Sequence, residues 1–272
     1  MARLPFLLSI VHGGSMLPRE LAPRLALSAA DVFFDSNPWT REIFAMGELV
    51  QGRLEVEVAR AVIDLDRDPG HRPPDHEDGV VKRVTRYRKK IWTDEGAPTP
   101  EEVQRLLERY HRPYHDILER TASRGGVRLG IDCHSMAPVG APLDPDPGQR
   151  RPIFCLGNLG DENGEGDAIT CKPALLRALG DALHEEFADV VPPEGLPLVT
   201  FNRPYSGDYI LKRHGRGRTP WLQFTINRCL ALKNEPEDPA TAEDAPDSDR
   251  ELIADLRVRI LRALRRFAEK VD

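Results

Sequence analysis

Short apolar runs with the length of buried strands alternate along this 272-residue chain with segments whose apolar residues recur at helical spacing. The runs with strand character are 5–11, 54–65, 127–132, 153–156, 198–201 and 221–226. Helices are predicted over 40–50, after Thr99, after Pro173 and in a last segment that Ser248 caps. This alternation favours one α/β domain over 1–272, built as a three-layer sandwich with a mixed, mostly parallel sheet.

The helix after Thr99 contains a signal for its start and a signal for its distortion. Thr99 is a cap residue followed by proline at the first helical position. Apolar residues keep a helical period to Leu118, but Pro113 lacks the N–H that a regular helix needs. His111 and His115 have the i, i+4 spacing of metal ligands, and the distortion between them argues against that role.

Composition excludes several classes of protein. The 38 Lys+Arg against 44 Asp+Glu give a net charge of −6, so nucleic acid is not an expected partner. No apolar run approaches the roughly 20 residues that cross a bilayer. The 4 cysteines show no CxxC spacing and fit a reducing cytoplasm. The acidic segment 234–248, nearly free of bulky apolar residues, is predicted to be a mobile loop.

Two histidines directly follow predicted buried strands, where function concentrates in open α/β sheets. They are His12 and His134. Two imidazoles at neighbouring strand ends provide half of a zinc site, which needs three protein ligands and an open position for water. Asp132 is placed to orient a ligand. In the alternative interpretation, each histidine is only a polar residue that ends a strand.

Several polar residues near predicted strand ends are candidates for substrate binding. They are Arg60, Arg67, Asn202, Arg213, Asn227 and Arg228. An arginine at such a place clamps a carboxylate with two parallel hydrogen bonds. For any one of these arginines the alternative is a structural ion pair with Asp64 or Asp66.

The order of the motifs resembles one family. The matching segments are His12-Gly13-Gly14 with Pro18, 59–67 (ARAVIDLDR), Pro113-Tyr114-His115, 132–136 (DCHSM), 202–215 (NRPYSGDYILKRHG) and 221–228 (WLQFTINR). Together they are similar to the motifs of the N-formylglutamate amidohydrolase family, and 132–136 is the most specific match. The segments keep the family's order and cover most of the chain.

This resemblance implies a zinc-dependent amide hydrolase with a phosphorylase/hydrolase-like α/β sandwich, related to zinc carboxypeptidases. The family releases formate from N-formylglutamate. Its metal ligands correspond to His12, His134 and an early carboxylate. The position of that carboxylate falls on Asn37, and Asp35, two residues earlier, is the alternative third ligand.

The chain also departs from the family's pattern. Thr225 stands where the family has the glutamate that activates water, and threonine is not a general base near neutral pH. Asp66 replaces the family's asparagine before Arg67. The general base is therefore unassigned, with Asp132 and His214 as candidates.

The sequence leaves three functional hypotheses. The first is a metal-dependent amidohydrolase that holds one zinc ion and cleaves a small N-acyl amino acid. The second is a catalytically impaired member that binds a ligand or partner, as Asn37 and Thr225 suggest. The third is a hydrolase with Ser135 or Cys133 as nucleophile, although neither lies in a Gly-x-Ser-x-Gly turn.

Overall fold

A mixed sheet of six strands organises the part of the chain that the computed structural model describes, residues 2–232, 239–246 and 249–271. The strands are β1 (Leu4–Ile10), β2 (Val50–Glu55), β3 (Leu129–Met136), β4 (Phe154–Gly157), β5 (Val199–Phe201) and β6 (Trp221–Asn227). Their order is β2-β1-β3-β6-β4-β5. β2, β1, β3 and β6 are parallel neighbours, whereas β4 runs antiparallel to β6 and parallel to β5. The prediction of a mixed, mostly parallel sheet is confirmed.

Helices cover both faces of this sheet. They are α1 (Ala29–Asp35), α2 (Thr40–Ile43), α3 (Pro100–Leu106), α4 (Arg112–Ala122), α5 (Pro173–Glu186), α6 (Tyr209–His214) and α7 (Arg250–Ala268). Side chains alternate along β1, so Phe6 packs on Phe267 of α7 and Leu7 packs in the cluster that contains Leu118 of α4. The three-layer arrangement is therefore confirmed. No helix within the described ranges combines the length and the apolarity needed to span a bilayer.

The helix after Thr99 starts and distorts as predicted. Thr99 and Glu102 form a capping box at the start of α3. Residues Leu107–His111 then form a π-helical turn, and α4 resumes at Arg112. Pro113 accounts for the wider turn, because its ring clashes with the preceding turn and it has no N–H to donate.

Three predicted element boundaries were wrong. β3 continues through Met136 instead of ending at Asp132, so His134 lies inside the strand. Of the strand predicted over 54–65, only residues 54–55 lie in a strand, at the end of β2, and the segment after them forms turns. The valines and the isoleucine of this segment pack against other segments, which explains its strand-like composition. The helix predicted over 40–50 ends at Ile43.

Part of the acidic segment 234–248 lies outside the described residues. This applies to 234–238 and 247–248, and therefore to the predicted cap Ser248. Between them, Pro239–Thr241 form a 3-10 turn that lies against α1. The side chain of Asp249 caps α7 by accepting hydrogen bonds from two backbone N–H groups of the first turn. The mobility of the segment stays a prediction.

Candidate active site

A polar cavity of about 490 Å³ opens at the carboxyl ends of the central strands. His12 follows β1 and His134 lies near the end of β3, and both line the cavity. Gln223 and Thr225 of β6 line it as well. In the register of the parallel strands, Gln223 is beside Asp132 and Thr225 is beside His134. The crossover connections of the sheet therefore bring together residues that are distant in sequence.

The two histidines predicted to meet are neighbours. Their ring centroids are 5.1 Å apart, and both side chains are buried. His12 Nε2 is 2.7 Å from Asp64 Oδ1, and His134 Nε2 is 2.7 Å from Asp132 Oδ2. A buried carboxylate on one nitrogen of each imidazole is the arrangement that orients metal-binding histidines.

Of the two alternative third ligands, only Asn37 lies beside this pair. Its Oδ1 is 2.8 Å from His134 Nδ1, and the residue lines the cavity. Asp35 is fully buried away from the cavity lining, with Lys82 Nζ 2.8 Å from its Oδ2. Burial alone would raise the pKa of Asp35, but the charges of Lys82, Arg60 and Arg86 lower it to about 2. Asp35 is thus an ionised anchor for neighbouring cations.

Burial keeps the imidazole of His12 neutral. Burial lowers the pKa of His12 to about 4, against the raising effect of Asp64. Asp64 itself receives a hydrogen bond from Arg60 Nε at 2.9 Å. Burial opposes ionisation of Asp64, but Arg60 and His12 hold its pKa well below the usual value. At neutral pH His12 is therefore a neutral ring on an ionised carboxylate.

Asp66 is a buried carboxylate that the sequence marked as a departure from the family pattern and as a possible ion-pair partner, but not as a site residue. Ile210 N donates to its Oδ1 at 2.7 Å, and its Oδ2 is 3.7 Å from His134 Nε2. Burial and the charges of Asp132, Asp208 and Asp64 raise the pKa of Asp66 well above its ordinary value. Potential ligand atoms of Asp66, Asp132 and His134 all lie within 4.8 Å of one another, a spacing that a metal ion can bridge.

Two of the six predicted substrate-binding residues line the cavity, and both are ion-paired. Arg60 pairs with Asp64. Arg67 Nη2 lies 2.7 Å from Asp78 Oδ2, and its Nη1 lies 2.7 Å from Asp208 Oδ2. Its Nε lies 3.6 Å from Asp64 Oδ2. The alternative of a structural ion pair with Asp64 therefore describes both arginines.

The other four are placed outside the cavity lining. Asn202 donates to Asn158 Oδ1, and Asn227 donates to the carbonyl of Pro152. Arg213 donates to the hydroxyl of Tyr209. Arg228 lies over the ring of Phe34, with 5.4 Å from its guanidinium carbon to the centroid. These side chains support loops and helix ends around the site.

The three predicted catalytic residues occupy different environments. Asp132 is fully buried beneath the cavity, where Ser9 Oγ donates to it at 2.9 Å. His214 on α6 has its Nε2 2.9 Å from Nδ1 of His115, away from the cavity lining. Thr225 lines the cavity. Geometry therefore brings only Thr225 of these three to the surface of the cavity.

Four buried polar atoms of cavity-lining residues have no hydrogen-bond partner within the described part of the chain. They are Arg86 Nε, Tyr205 OH, Gln223 Oε1 and Thr225 Oγ1. A buried polar atom without a partner costs about 1–3 kcal/mol, which a ligand or water removes. Tyr205 and Gln223 lie in motifs that the resemblance had already marked, whereas no sequence signal marked Arg86.

Comparisons with known proteins identify a family. The sequence model described as N-formylglutamate amidohydrolase matches residues 4–232. The chain is 26% identical over 185 residues to an N-formylglutamate deformylase of Pseudomonas putida, and the match spans 65% of this chain and 65% of that protein.

Two solved structures are similar in fold. One is N-formylglutamate amidohydrolase from Ralstonia eutropha JMP134, with a TM-score of 0.66, 23% identity, and coverage of 99% of this chain and 94% of that one. The other is a gene product of Agrobacterium tumefaciens, with a TM-score of 0.61, 16% identity, and coverage of 97% and 92%. At these identities the structural likeness establishes the fold.

Proposed function

The chain belongs to the N-formylglutamate amidohydrolase family, and we propose that it is a metal-dependent amidohydrolase that cleaves a small N-acyl amino acid of the N-formyl type. The observation that carries this proposal is the pair of imidazoles, His12 and His134, 5.1 Å apart in a polar cavity. Each has its Nε2 on a buried carboxylate.

The hydrogen bonds of His134 favour a cation beside it. Its Nε2 is 2.7 Å from Asp132 Oδ2, and its Nδ1 is 2.8 Å from the amide oxygen of Asn37. When Nε2 donates to Asp132, Nδ1 offers its lone pair on the side of Asn37. A cation bound there would be held by Nδ1 and by the amide oxygen together. His12, His134 and Asn37 therefore fit one zinc ion, although the amide is a neutral ligand where a carboxylate is usual.

A zinc ion bound there supplies Lewis-acid polarisation of the scissile carbonyl and a lowered pKa for water. The chain's own residues do the rest. Asp64 and Asp132 hold the two imidazoles in one tautomer and one orientation. The cavity shields the reacting groups from bulk water.

Asp66 is the best-placed carboxylate to accept the proton of the attacking water. It lines the cavity, and its Oδ2 receives no hydrogen bond within the described residues. Thr225 has no basic group, Asp132 lies beneath His134, and His214 faces His115. We therefore assign the role of general base to Asp66, in place of the earlier candidates Asp132 and His214.

A second ligand set is favoured by the close spacing of Asp66, Asp132 and His134. Two carboxylates and one imidazole suit a harder cation such as Mn²⁺ or Mg²⁺. In that case Asp66 is a metal ligand and not the base. The absence of the family carboxylates at Asn37 and Thr225 also favours a second function, a binding protein without catalysis.

Metal content and formate release test the proposal together. Purified protein is assayed by elemental analysis and for hydrolysis of N-formyl-L-glutamate with added zinc. About one equivalent of zinc with formate release is the expected result. His12→Ala and His134→Ala, folded by circular dichroism, lose both, whereas the matched control His184→Ala on the exposed side of α5 keeps both. A folded, metal-free protein that binds N-formyl-L-glutamate without cleaving it is instead a binding protein.

A further inference from the structure

The unpartnered polar atoms of the cavity divide into two chemical types. Arg86 Nε is a donor, and the Tyr205 hydroxyl can donate. Gln223 Oε1 is an acceptor, and the hydroxyl of Thr225 can act as either donor or acceptor. Arg86 is only 9% exposed, so bulk water does not solvate most of its side chain. The cavity therefore suits a ligand that accepts hydrogen bonds in one part and donates one in another.

Arg86 differs from the other two arginines of the cavity in its ion pairing. Arg60 and Arg67 bind carboxylates directly, Arg67 at 2.7 Å to two of them. The ion pair of Arg86 is a longer contact, 3.9 Å from Nη1 to Asp144 Oδ2. Its positive charge is thus the least compensated by close contacts among the three.

A neighbouring arginine takes up the carboxylates that Arg86 could otherwise use. Arg151 Nη2 lies 2.8 Å from Asp144 and 2.5 Å from Asp146, and its guanidinium lies 5.0 Å from the ring centroid of Tyr205. The fully buried Arg151 therefore holds Asp144 and stacks on Tyr205. Both cavity residues next to this cluster, Arg86 and Tyr205, keep an unpartnered donor.

The backbone of Arg86 is fixed, so its side chain is anchored in the cavity wall. Asp35 Oδ1 accepts a hydrogen bond from Arg86 N at 2.9 Å, and Arg86 O accepts one from Leu143 N at 3.1 Å. The residue is 9% exposed and its Nη1 contacts Asp144, so the guanidinium has little freedom left to lose when it binds an anion.

We propose that Arg86 and Tyr205 form the subsite that binds a carboxylate of the substrate, and that Gln223 Oε1 accepts the N–H of its amide. A carboxylate accepts one hydrogen bond from the guanidinium and one from the phenol hydroxyl, and it neutralises the charge of Arg86. This inference rests on the proposed function, because it names which part of an N-acyl amino acid each residue binds. In this proposal Arg86 and Tyr205 bind the carboxylate in place of the four arginines that the sequence predicted as its clamp.

Calorimetric binding of a poorly hydrolysable analogue tests the subsite without relying on turnover. The probe is N-carbamoyl-L-glutamate, which keeps the N–H and both carboxylates, and its dimethyl ester is the uncharged comparison. We expect Arg86→Gln to weaken binding of the acid about 10- to 100-fold, as for loss of a hydrogen bond to a charged group. Tyr205→Phe weakens it about 3- to 10-fold. The exposed control Arg83→Gln leaves binding unchanged.

The dimethyl ester separates a carboxylate subsite from general damage to the cavity. The ester binds the wild type more weakly than the acid, and Arg86→Gln does not weaken it further. Equal binding of acid and ester by the wild type overturns the subsite, as does unchanged binding of the acid by folded Arg86→Gln, or no binding of either compound.

Hydrolysis assays on the same proteins keep the two proposals apart. Binding that depends on Arg86 in a protein that releases no formate refutes the enzyme and supports the subsite. Formate release with an unchanged KM in Arg86→Gln supports the enzyme and overturns the subsite.

Discussion

Thr225 lies beside His134 in the register of β6 and β3, and its buried hydroxyl has no hydrogen-bond partner among the described residues. The motif that the sequence matches has a glutamate at this position. A longer acidic side chain there would start from the same face of the sheet as His134. The threonine therefore removes a carboxylate from the place where the family's motif puts one, and the consequence is a weak proton acceptor next to the imidazole pair.

Restoring that carboxylate is expected to increase hydrolysis. Thr225→Glu should raise the rate on N-formyl-L-glutamate at least about tenfold, because it adds to Asp66 a second carboxylate at the motif's position, and general-base catalysis is typically worth about 100- to 10,000-fold in ideal geometry. Thr225→Gln is the matched control, with the same shape and no basic group. Initial rates with added zinc decide the outcome. Brisk wild-type turnover that falls in Thr225→Glu contradicts the expectation and shows that Asp66 suffices as the base.

Asn37, the proposed third ligand with a neutral amide, leads to a second prediction, which concerns metal affinity. Asn37→Asp should bind zinc at least about tenfold more tightly, because a charged ligand replaces an amide beside His134. Competition with a chromophoric chelator measures the change. Asp66→Asn distinguishes the two ligand sets. It keeps zinc if His12, His134 and Asn37 hold the ion, and it loses the ion if Asp66 and Asp132 hold it.

The assignment of Asp66 as general base predicts a specific kinetic change. Asp66→Asn should lower kcat about 100-fold or more while zinc content and KM stay close to the wild-type values. The amide keeps an oxygen that accepts from Ile210 N, so the backbone at α6 retains its support. Loss of zinc together with activity would instead make Asp66 a ligand.

The positions of His12 and His134 could be predicted from the sequence because they depend on local pattern. A buried apolar run followed by a histidine puts the side chain at the end of a strand, and parallel neighbours bring such ends together. The family motifs added Asn37, which the structure places beside His134. The third-ligand alternative Asp35 differs by only two positions, yet it faces Lys82 instead.

Other parts of the site depend on contacts that no local pattern encodes. Asp64 and Asp66 lie in turns that follow β2, and their direction is set by Arg60 and by the backbone of α6. Asn202 and Asn227 were predicted to bind substrate, but asparagine serves equally well to hold backbone groups in turns. Residue type alone does not separate these two roles, since both use the same amide.

The free energy of unfolding should decrease as the pH falls, because two paired histidines are buried in their neutral form. Nδ1 of His115 is 2.9 Å from Nε2 of His214. Burial, followed by the charge of Arg213, lowers the pKa of His214 to about 4. Burial and the charges of His111 and His214 lower the pKa of His115 to about 2. The unfolded chain, with ordinary histidine pKa values near 6.5, therefore takes up protons first as the pH falls.

The direction and size of this loss of stability follow from the difference between the pKa of His214 in the folded and the unfolded chain. The stabilisation by His214 is fully present above pH 6.5 and is lost as the pH falls towards 4, with about 2 kcal/mol lost between pH 7 and pH 5. Urea unfolding at the two pH values measures the free energy of unfolding. His214→Gln should reduce the loss by about 2 kcal/mol, whereas the exposed control His184→Gln should leave it as in the wild type. An unchanged loss in His214→Gln would mean that this imidazole is protonated in the folded protein, and the buried pair would then have to be described as a charged hydrogen bond.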